Sequence, residues 1–599
     1  MYIRGECQCL NCKCLLGGGL LLANILAYVI YTGSWGPVIR RSDKFLKNVP
    51  EFFGVLLLLY LLWTLSAKKL WRGLIAFLSC LFLLLEISQF VYLSETGEYI
   101  SILALENIDQ IYILLRPVYY LFIAVVVAVL LAYAIAIVRQ PYAAQGKFSR
   151  RKLGIIMLVL LILTFYNNAY EWGMNPKYAK YFRHGQPTPA VSLLANAGRV
   201  FLPTSPSVSG QKFMFEKDWV YQKALPFPVK SSSTQPPNVI VILTEGTSTR
   251  LMGCYDQKYE DLTPNFNKFA QESMKVTNYY NHTSATYRGT LGQMASCYPF
   301  RGGKEAGAWN KEQKDLWSTL NYSTVPKILG DEYDTFFFSP HESADSYTDL
   351  VRMAGFRQVE TKDSLPDVLG RDPEIYADSF TDASMYQSLS AFLAARENQR
   401  PFFLVMYTVG THAGMDVPST GVKYGDGSNP TLNTLHNVDA AFGRFWQEFQ
   451  SSPYKDNTIV IVTADHAHVQ EKPYVALVKD DPTYKPYFVD TVPLLIYDPM
   501  HELPMEYDAN DATSLALAPT ILHLLGRQHA VNAFLGQSLF DGTQDFHIHA
   551  EGNTLWYIRN HEVFKEKDVP EKDINEFMKE KENLYEFYAE ERENKMLRQ

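Results

Sequence analysis

Two hydrophobic patterns divide the chain. Over the first 170 residues apolar positions run in long uncharged blocks; from residue 238 they come as short runs separated by amphipathic stretches. A helix needs about 20 consecutive apolar residues to cross a bilayer core. The blocks 14–39, 52–67, 73–93, 117–138 and 153–170 meet or approach that length and predict a five-helix transmembrane domain over 1–170. The later runs VIVILT (239–244), TFFFS (335–339), FFLVMYT (402–408), TIVIVT (458–463) and VPLLIY (492–497) read as strands buried on both faces. Helical stretches at 264–274, 379–396, 434–450 and 511–525 alternate with them, predicting a mostly parallel α/β sheet with helices on both faces. Residues 171–237, rich in Pro and Ser, read as a juxtamembrane linker with short interfacial helices. The α/β domain is placed at 238–599, with a small antiparallel subdomain from about residue 540.

Charge sharpens this division. The chain has a net charge of −8 and a mean hydropathy of −0.11, but residues 1–170 carry +7 and the rest −15. An acidic soluble part argues against nucleic acid as a partner. An aromatic content of 14% excludes disorder, and 7 Cys in 599 residues exclude a disulfide scaffold. Basic loops at Lys68, Lys69 and Arg72, and at Lys147, Arg150, Arg151 and Lys152, are expected on the cytoplasmic side. The acidic loop 94–116 is then external, and Arg40, Arg41, Lys44 and Lys47 form the one dissenting loop. This arrangement puts the soluble half outside the membrane. Glu86 falls inside the third block, as a functional acid or as a paired one near the interface. Cys7, Cys9, Cys12 and Cys14 form a tight cluster of metal-ligand type, without a nearby His.

In parallel α/β sheets ligands bind beyond the carboxyl ends of the strands. After VIVILT comes Glu245, after FFLVMYT comes Gly-Thr-His412, and after TIVIVT come Asp465 and His466. Each alone is an ordinary loop residue; two carboxylates and an imidazole together suit a divalent cation with O and N ligands.

These residues resemble the sulfatase and alkaline-phosphatase-like superfamily, and within it membrane-anchored lipoteichoic acid synthase-type phosphoglycerol transferases and phosphoethanolamine transferases. NVIVILTEGTSTRLMGCY is similar to the family's first strand and metal carboxylate, NTIVIVTADH to its late Asp–His strand, and LALAPTILHLLG to its closing helix. Sulfatases use Cys-x-Pro-x-Arg, and Cys297-Tyr-Pro-Phe-Arg301 is a literal match. However, the family spacing back from Tyr298-Pro299 lands on Thr286, with Ser284 and Thr283 as alternatives. A threonine there is what the lipid-phosphate transferases use.

The resemblance implies one divalent metal, Mn2+ or Zn2+ with Mg2+ as a third option, held by Glu245, Thr286, Asp465 and His466. It implies Thr286 and His412 as catalytic residues, and Arg288, His341 and His412 as substrate contacts. The implied activity is transfer of a headgroup phosphate from phosphatidylglycerol or phosphatidylethanolamine, through a phospho-threonine, to a glycan or glycolipid. The implied place is the bacterial cytoplasmic membrane, with the catalytic domain outside. Two features depart from the family: Gly246 stands where sulfatases often have a second acid, and ESADSYTDLV replaces the Trp- and Arg-bearing segment after His341. His468 is the one obvious extra ligand for a second metal. Only Cys254 and Cys297 lie in the outer domain, which leans toward phosphoglycerol, because the phosphoethanolamine enzymes tend to carry several Cys pairs. Asn281-His-Thr283 and Asn321-Tyr-Ser323 match glycosylation triplets, discounted because a glycan beside the nucleophile would block it. A phosphodiesterase or sulfatase-type hydrolase and a non-catalytic lipid-binding regulator are the rival readings.

Overall fold

The computed structural model describes residues 42–65, 68–96, 100, parts of 126–138, 150–173, 188–194, 214–230, 235–299, 322–397, 400–542, 546–551 and 554–592. The blocks at 14–39 and over most of 117–138, the Cys7–Cys14 cluster and Lys147 lie outside the described residues. The chain forms two compact units, Met1–Ser205 and Pro206–Gln599.

The first unit contains helices α1 (Ser42–Trp63), α2 (Lys69–Thr96) and α3 (Arg150–Gly173). Among the described residues one stretch, Lys69–Gln89, is long and apolar enough to cross a membrane; Asn48–Trp63 and Lys152–Asn168 are apolar but shorter. Leu70, Phe77 and Phe165 are 89%, 62% and 70% exposed, an outward apolar face that water disfavours. Two acids face inward and accept hydrogen bonds. Glu86 is fully buried and accepts the Asn48 amide at 2.6 Å, while Glu51 accepts the Thr188 hydroxyl and, at 2.9 Å, the Ala190 N–H.

In the second unit the strands are β1 (Lys217–Trp219), β2 (Asn238–Thr244), β3 (Met274–Thr277), β4 (Asp334–Phe338), β5 (Gln358–Glu360), β6 (Ile375–Tyr376), β7 (Ser379–Phe380) and β8 (Phe402–Thr408). They continue with β9 (Thr458–Ala464), β10 (Leu494–Tyr497), β11 (Glu506–Asp508), β12 (His529–Asn532), β13 (Ile548–Glu551), β14 (Thr554–Arg559) and β15 (Glu562–Lys565). The main sheet runs β11-β3-β10-β9-β2-β8-β4-β5. Every residue of β2, β8 and β9 is buried, which is why they read as unbroken apolar runs.

The sheet is mixed. β10 runs antiparallel to both β9 and β3. β1 pairs with β12, so the stretch from 217, which reads as linker in the sequence, is bound to the second unit. A three-residue edge strand with one polar face leaves no periodicity to detect. The end of the chain forms a three-stranded antiparallel sheet, β13-β14-β15, with helix 574–592 following it.

Helices fill the faces. α4 (Pro264–Gln271), α6 (Asp382–Ala395) and α7 (Pro430–Gln450) pack an aromatic cluster in which Phe266 stacks on Phe442 and Trp446 on Phe449. Asn429 and Thr381 cap α7 and α6 through their side chains. α4 is capped from outside: fully buried Asp439 of α7 accepts the N–H groups of Asn265 at 3.1 Å and Phe266 at 2.7 Å, while Thr263 makes no cap bond. Asp439→Ala leaves these donors buried and unpaired, so a loss of about 2–4 kcal/mol is expected, read as a lower thermal midpoint; Asp439→Asn falls between.

Candidate active site

Register places the candidate residues. Thr244 at the end of β2 pairs with both Thr408 of β8 and Ala464 of β9, so three parallel strands stop at one level. Glu245, the 409–412 turn and Asp465-His466 therefore leave the sheet side by side.

Glu245, Asp465 and His466 are all buried and their ligand atoms lie within 4.8 Å of one another. His466 Nε2 is 3.3 Å from Glu245 Oε1 and 3.4 Å from Asp465 Oδ2. Its Nδ1 is 2.7 Å from the Ala467 carbonyl, which can only accept, so Nδ1 carries a hydrogen and Nε2 is the nitrogen that offers a lone pair once the ring is neutral. Asp465 is fixed likewise: Oδ1 accepts the N–H groups of Gly246 and His466, both at 2.8 Å, while buried Oδ2 has no hydrogen-bond partner. Gly246 has φ +47°, which turns its N–H onto Asp465 where the family often places an acid.

Three acceptors facing one another need a positive charge between them. Ion–ligand bonds of about 2.0–2.2 Å in a tetrahedron put neighbouring ligand atoms roughly 3.3–3.6 Å apart, and the observed separations fit. Without an ion, a proton fills that role. Burial pushes the His466 imidazole down, but the Asp465 and Glu245 carboxylates outweigh it and hold it up at about 10. Burial pushes Glu245 up, yet the charge and hydrogen bond of His466, with His412 and Tyr407, bring it below the carboxylate range. Asp465, less compensated, is pushed up to about 7 by burial and then by Glu245.

Thr286 is the first residue of α5 (Thr286–Ala295), at the positive end of the helix dipole. Its Oγ1 donates to Glu245 Oε2 at 3.0 Å, leaving Oε1 toward His466. Glycine makes this approach physical. A Cβ on Gly289 would sit 2.2 Å from the Asp465 carbonyl oxygen, and Gln293 Nε2 donates to the carbonyls of Ala464 at 3.0 Å and Asp465 at 3.1 Å. Just before Thr286, Ala285 holds φ 71°, ψ 136°, strain on the order of 1–3 kcal/mol for a side-chain-bearing residue.

The other sequence candidates are placed less tightly. His412 follows β8, its Nδ1 3.1 Å from the Ala413 carbonyl, and its charge acts on Glu245. His341 follows β4, 3.2 Å from Ser379 Oγ through Nδ1; burial lowers its pKa, while Asp345 and Glu245 raise it. Arg288 is buried on α5, but two positions on a helix turn about 200° away from Thr286. Ser284 and Thr283 are buried in the preceding loop, with Thr283 Oγ1 donating to the Ala550 carbonyl at 2.8 Å. His468 donates from Nδ1 to Gly246 O at 2.7 Å and faces Glu471 at 3.4 Å, outside the three-residue set. Cys254 and Cys297 form no disulfide among the described residues, and Cys297 is buried just past the end of α5.

Sequence reasoning missed Tyr407. Its hydroxyl donates to Glu245 Oε2, the oxygen that also receives Thr286. A polar tip next to the last position of an otherwise apolar strand, at the rim, was the available signal. It also missed Asp382, whose Oδ1 holds Val409 N at 3.1 Å and Gly410 N at 3.0 Å and so shapes the His412 turn.

Two outcomes follow from this geometry. Gly289→Ala forces α5 off the Asp465 backbone, and a shift of about 1 Å is expected to cut turnover about 100-fold and weaken Mn2+ binding measured by calorimetry. An ion needs neutral His466, whose pKa lies far above 6.5 in the ion-free protein, so binding displaces a proton. Mn2+ affinity should therefore rise at least tenfold per pH unit between about pH 6 and 8, more steeply below about pH 7 where Asp465 also gives up a proton, and a flat profile contradicts this arrangement.

The fold has solved counterparts. A protein in the alkaline phosphatase superfamily from Vibrio parahaemolyticus is 18% identical, with 66% of this chain and 94% of that one covered at a TM-score of 0.50. A lipoteichoic acid synthase from Listeria monocytogenes is 15% identical over 61% of this chain and 96% of that one, at 0.48. A lipooligosaccharide phosphoethanolamine transferase from Neisseria meningitidis is 12% identical over 75% and 84%, at 0.44. The family model for sulfatases matches residues 237–527, the span that holds the sheet rim, Glu245, Thr286, Asp465 and His466. The chain thus carries a sulfatase/alkaline-phosphatase-like domain.

Proposed function

We propose that this protein is a membrane-bound, divalent-metal-dependent phosphotransferase that moves a phospholipid headgroup phosphate onto an exported glycan or glycolipid. The observation that carries the reading is the Thr286 hydroxyl at a helix N-terminus, donating to Glu245 of a buried three-ligand set. A threonine hydroxyl is a weak nucleophile until a base or cation activates it. Thr286 Oγ bonds to the lipid phosphorus as its proton passes toward Glu245, and the bond to the diacylglycerol oxygen breaks. His412 supplies a proton to that leaving oxygen, and His341 with His412 contacts the phosphate; Arg288, on the far side of α5, is left out. A hydroxyl of the acceptor then attacks the phospho-Thr286 ester and restores the threonine. Glu245, Asp465, His466 and Thr286 would hold a Mn2+ or Zn2+ ion, which when bound lowers the Thr286 pKa and draws charge from a phosphoryl oxygen.

Phosphoglycerol is the favoured donor group, since the paired cysteines typical of phosphoethanolamine enzymes are lacking among the described residues. The apolar helices and the charge of the loops support an envelope location with the catalytic unit on the outer side.

The test is mass spectrometry of the Thr286 peptide after incubation with mixed phosphatidylglycerol and phosphatidylethanolamine vesicles and Mn2+. A glycerol-phosphate adduct is expected, absent in Thr286→Ala, with turnover reduced about 1,000-fold or more. An ethanolamine-phosphate adduct changes the donor, free headgroup phosphate without a modified acceptor makes the protein a hydrolase, and no adduct removes the covalent route.

A further inference from the structure

The sulfatase match ends at residue 527, yet the chain beyond it grips the loop that leads into Thr286. Fully buried His549 of β13 donates from Nδ1 to the Asn281 carbonyl at 2.9 Å. The next residue, Ala550, donates its N–H to the His282 carbonyl at 2.9 Å and accepts the Thr283 hydroxyl at 2.8 Å. On its other side the loop is held by the sulfatase core: the Asn281 amide donates to Phe488 O at 2.9 Å and accepts from Asp490 N at 3.0 Å, and His282 N donates to Ser514 Oγ at 3.1 Å. β13 is itself fixed from behind, because Glu580 accepts His547 N at 2.7 Å and faces His547 Nδ1 at 2.9 Å. Three consecutive residues are therefore clamped between two walls, and two residues later the chain takes the strained turn at Ala285. Such a conformation persists only where its surroundings over-determine it. Among the described residues, the His549 bond is the one contact from the C-terminal sheet to residues 281–283 that a C-terminal side chain makes.

We propose that His549 is a positioning residue for phosphoryl transfer: by holding the Asn281 carbonyl it fixes the loop that aims Thr286, which makes the C-terminal sheet part of the catalytic apparatus. This rests on the reading of Thr286 as nucleophile.

The full chain in lipid nanodiscs, with Mn2+ and bis(4-nitrophenyl) phosphate as probe, decides it. Attack by Thr286 Oγ forms the phospho-threonine ester and breaks the bond to nitrophenolate, read as a pre-steady-state burst. His549→Leu removes the donor; His549→Asn restores one, because the asparagine Nδ2 branches from Cγ as the histidine Nδ1 does. In His549→Leu, amide exchange over 281–286 should rise about tenfold and the burst rate fall about tenfold, with KM and Mn2+ affinity within about twofold. His549→Asn should recover both to within about threefold, which loss of packing alone does not allow. Unchanged exchange in His549→Leu, or His549→Asn no better than His549→Leu, overturns the proposal. A wild-type protein without any burst instead defeats the phosphoryl-transfer reading, while the exchange measurement still decides the clamp.

Discussion

The candidate site turns on a conflict of charge. Glu245 Oε1, Asp465 Oδ2 and His466 Nε2 converge in a buried space where water cannot relieve them. Burying acceptors without donors is costly, and burying two carboxylates without a counter-charge far more so. The other polar atoms of the trio are resolved: Ala467 O takes Nδ1, the Gly246 and His466 N–H groups take Oδ1, and the Thr286 and Tyr407 hydroxyls take Glu245 Oε2. What remains unsatisfied has the composition and spacing of a cation's ligand shell, and a proton held on His466 balances it when no ion is bound.

Close approach is the second requirement, and it explains where glycine and strain are spent. α5 can reach the end of β9 only because Gly289 has no Cβ, and Gln293 then ties the helix to the two carbonyls there. Ala285 bears an unfavourable turn that brings Thr286 to the helix start. The cost falls on the loop, and the network around Asn281 and His282 is dense enough to carry it.

Legibility followed burial. β2, β4, β8 and β9 were readable because strands covered on both faces demand continuous apolar residues, and the acids and histidines at their ends stand out against that background. β10 was readable as a strand but not in direction, since an apolar run looks the same either way. β1 was hidden because a short edge strand needs no pattern. Arg288 is near Thr286 in sequence, while two positions along a helix turn about 200°. Tyr407 and His549 carry no local signal in the sequence; their hydrogen bonds to Glu245 and to the Asn281 carbonyl set them apart from ordinary core aromatics.

The sequence by itself determined the long apolar helices, the α/β alternation and the four residues grouped at the strand ends, because all of these are local consequences of hydrophobic period and strand polarity. Tertiary structure alone decided which atoms face each other: that Thr286 and Tyr407 share one oxygen of Glu245, that Asp465 keeps one oxygen unpaired, and that residues some 270 positions downstream hold the loop leading into Thr286. Those outcomes depend on register, on a missing Cβ and on contacts between distant segments, none of which leaves a trace in local pattern.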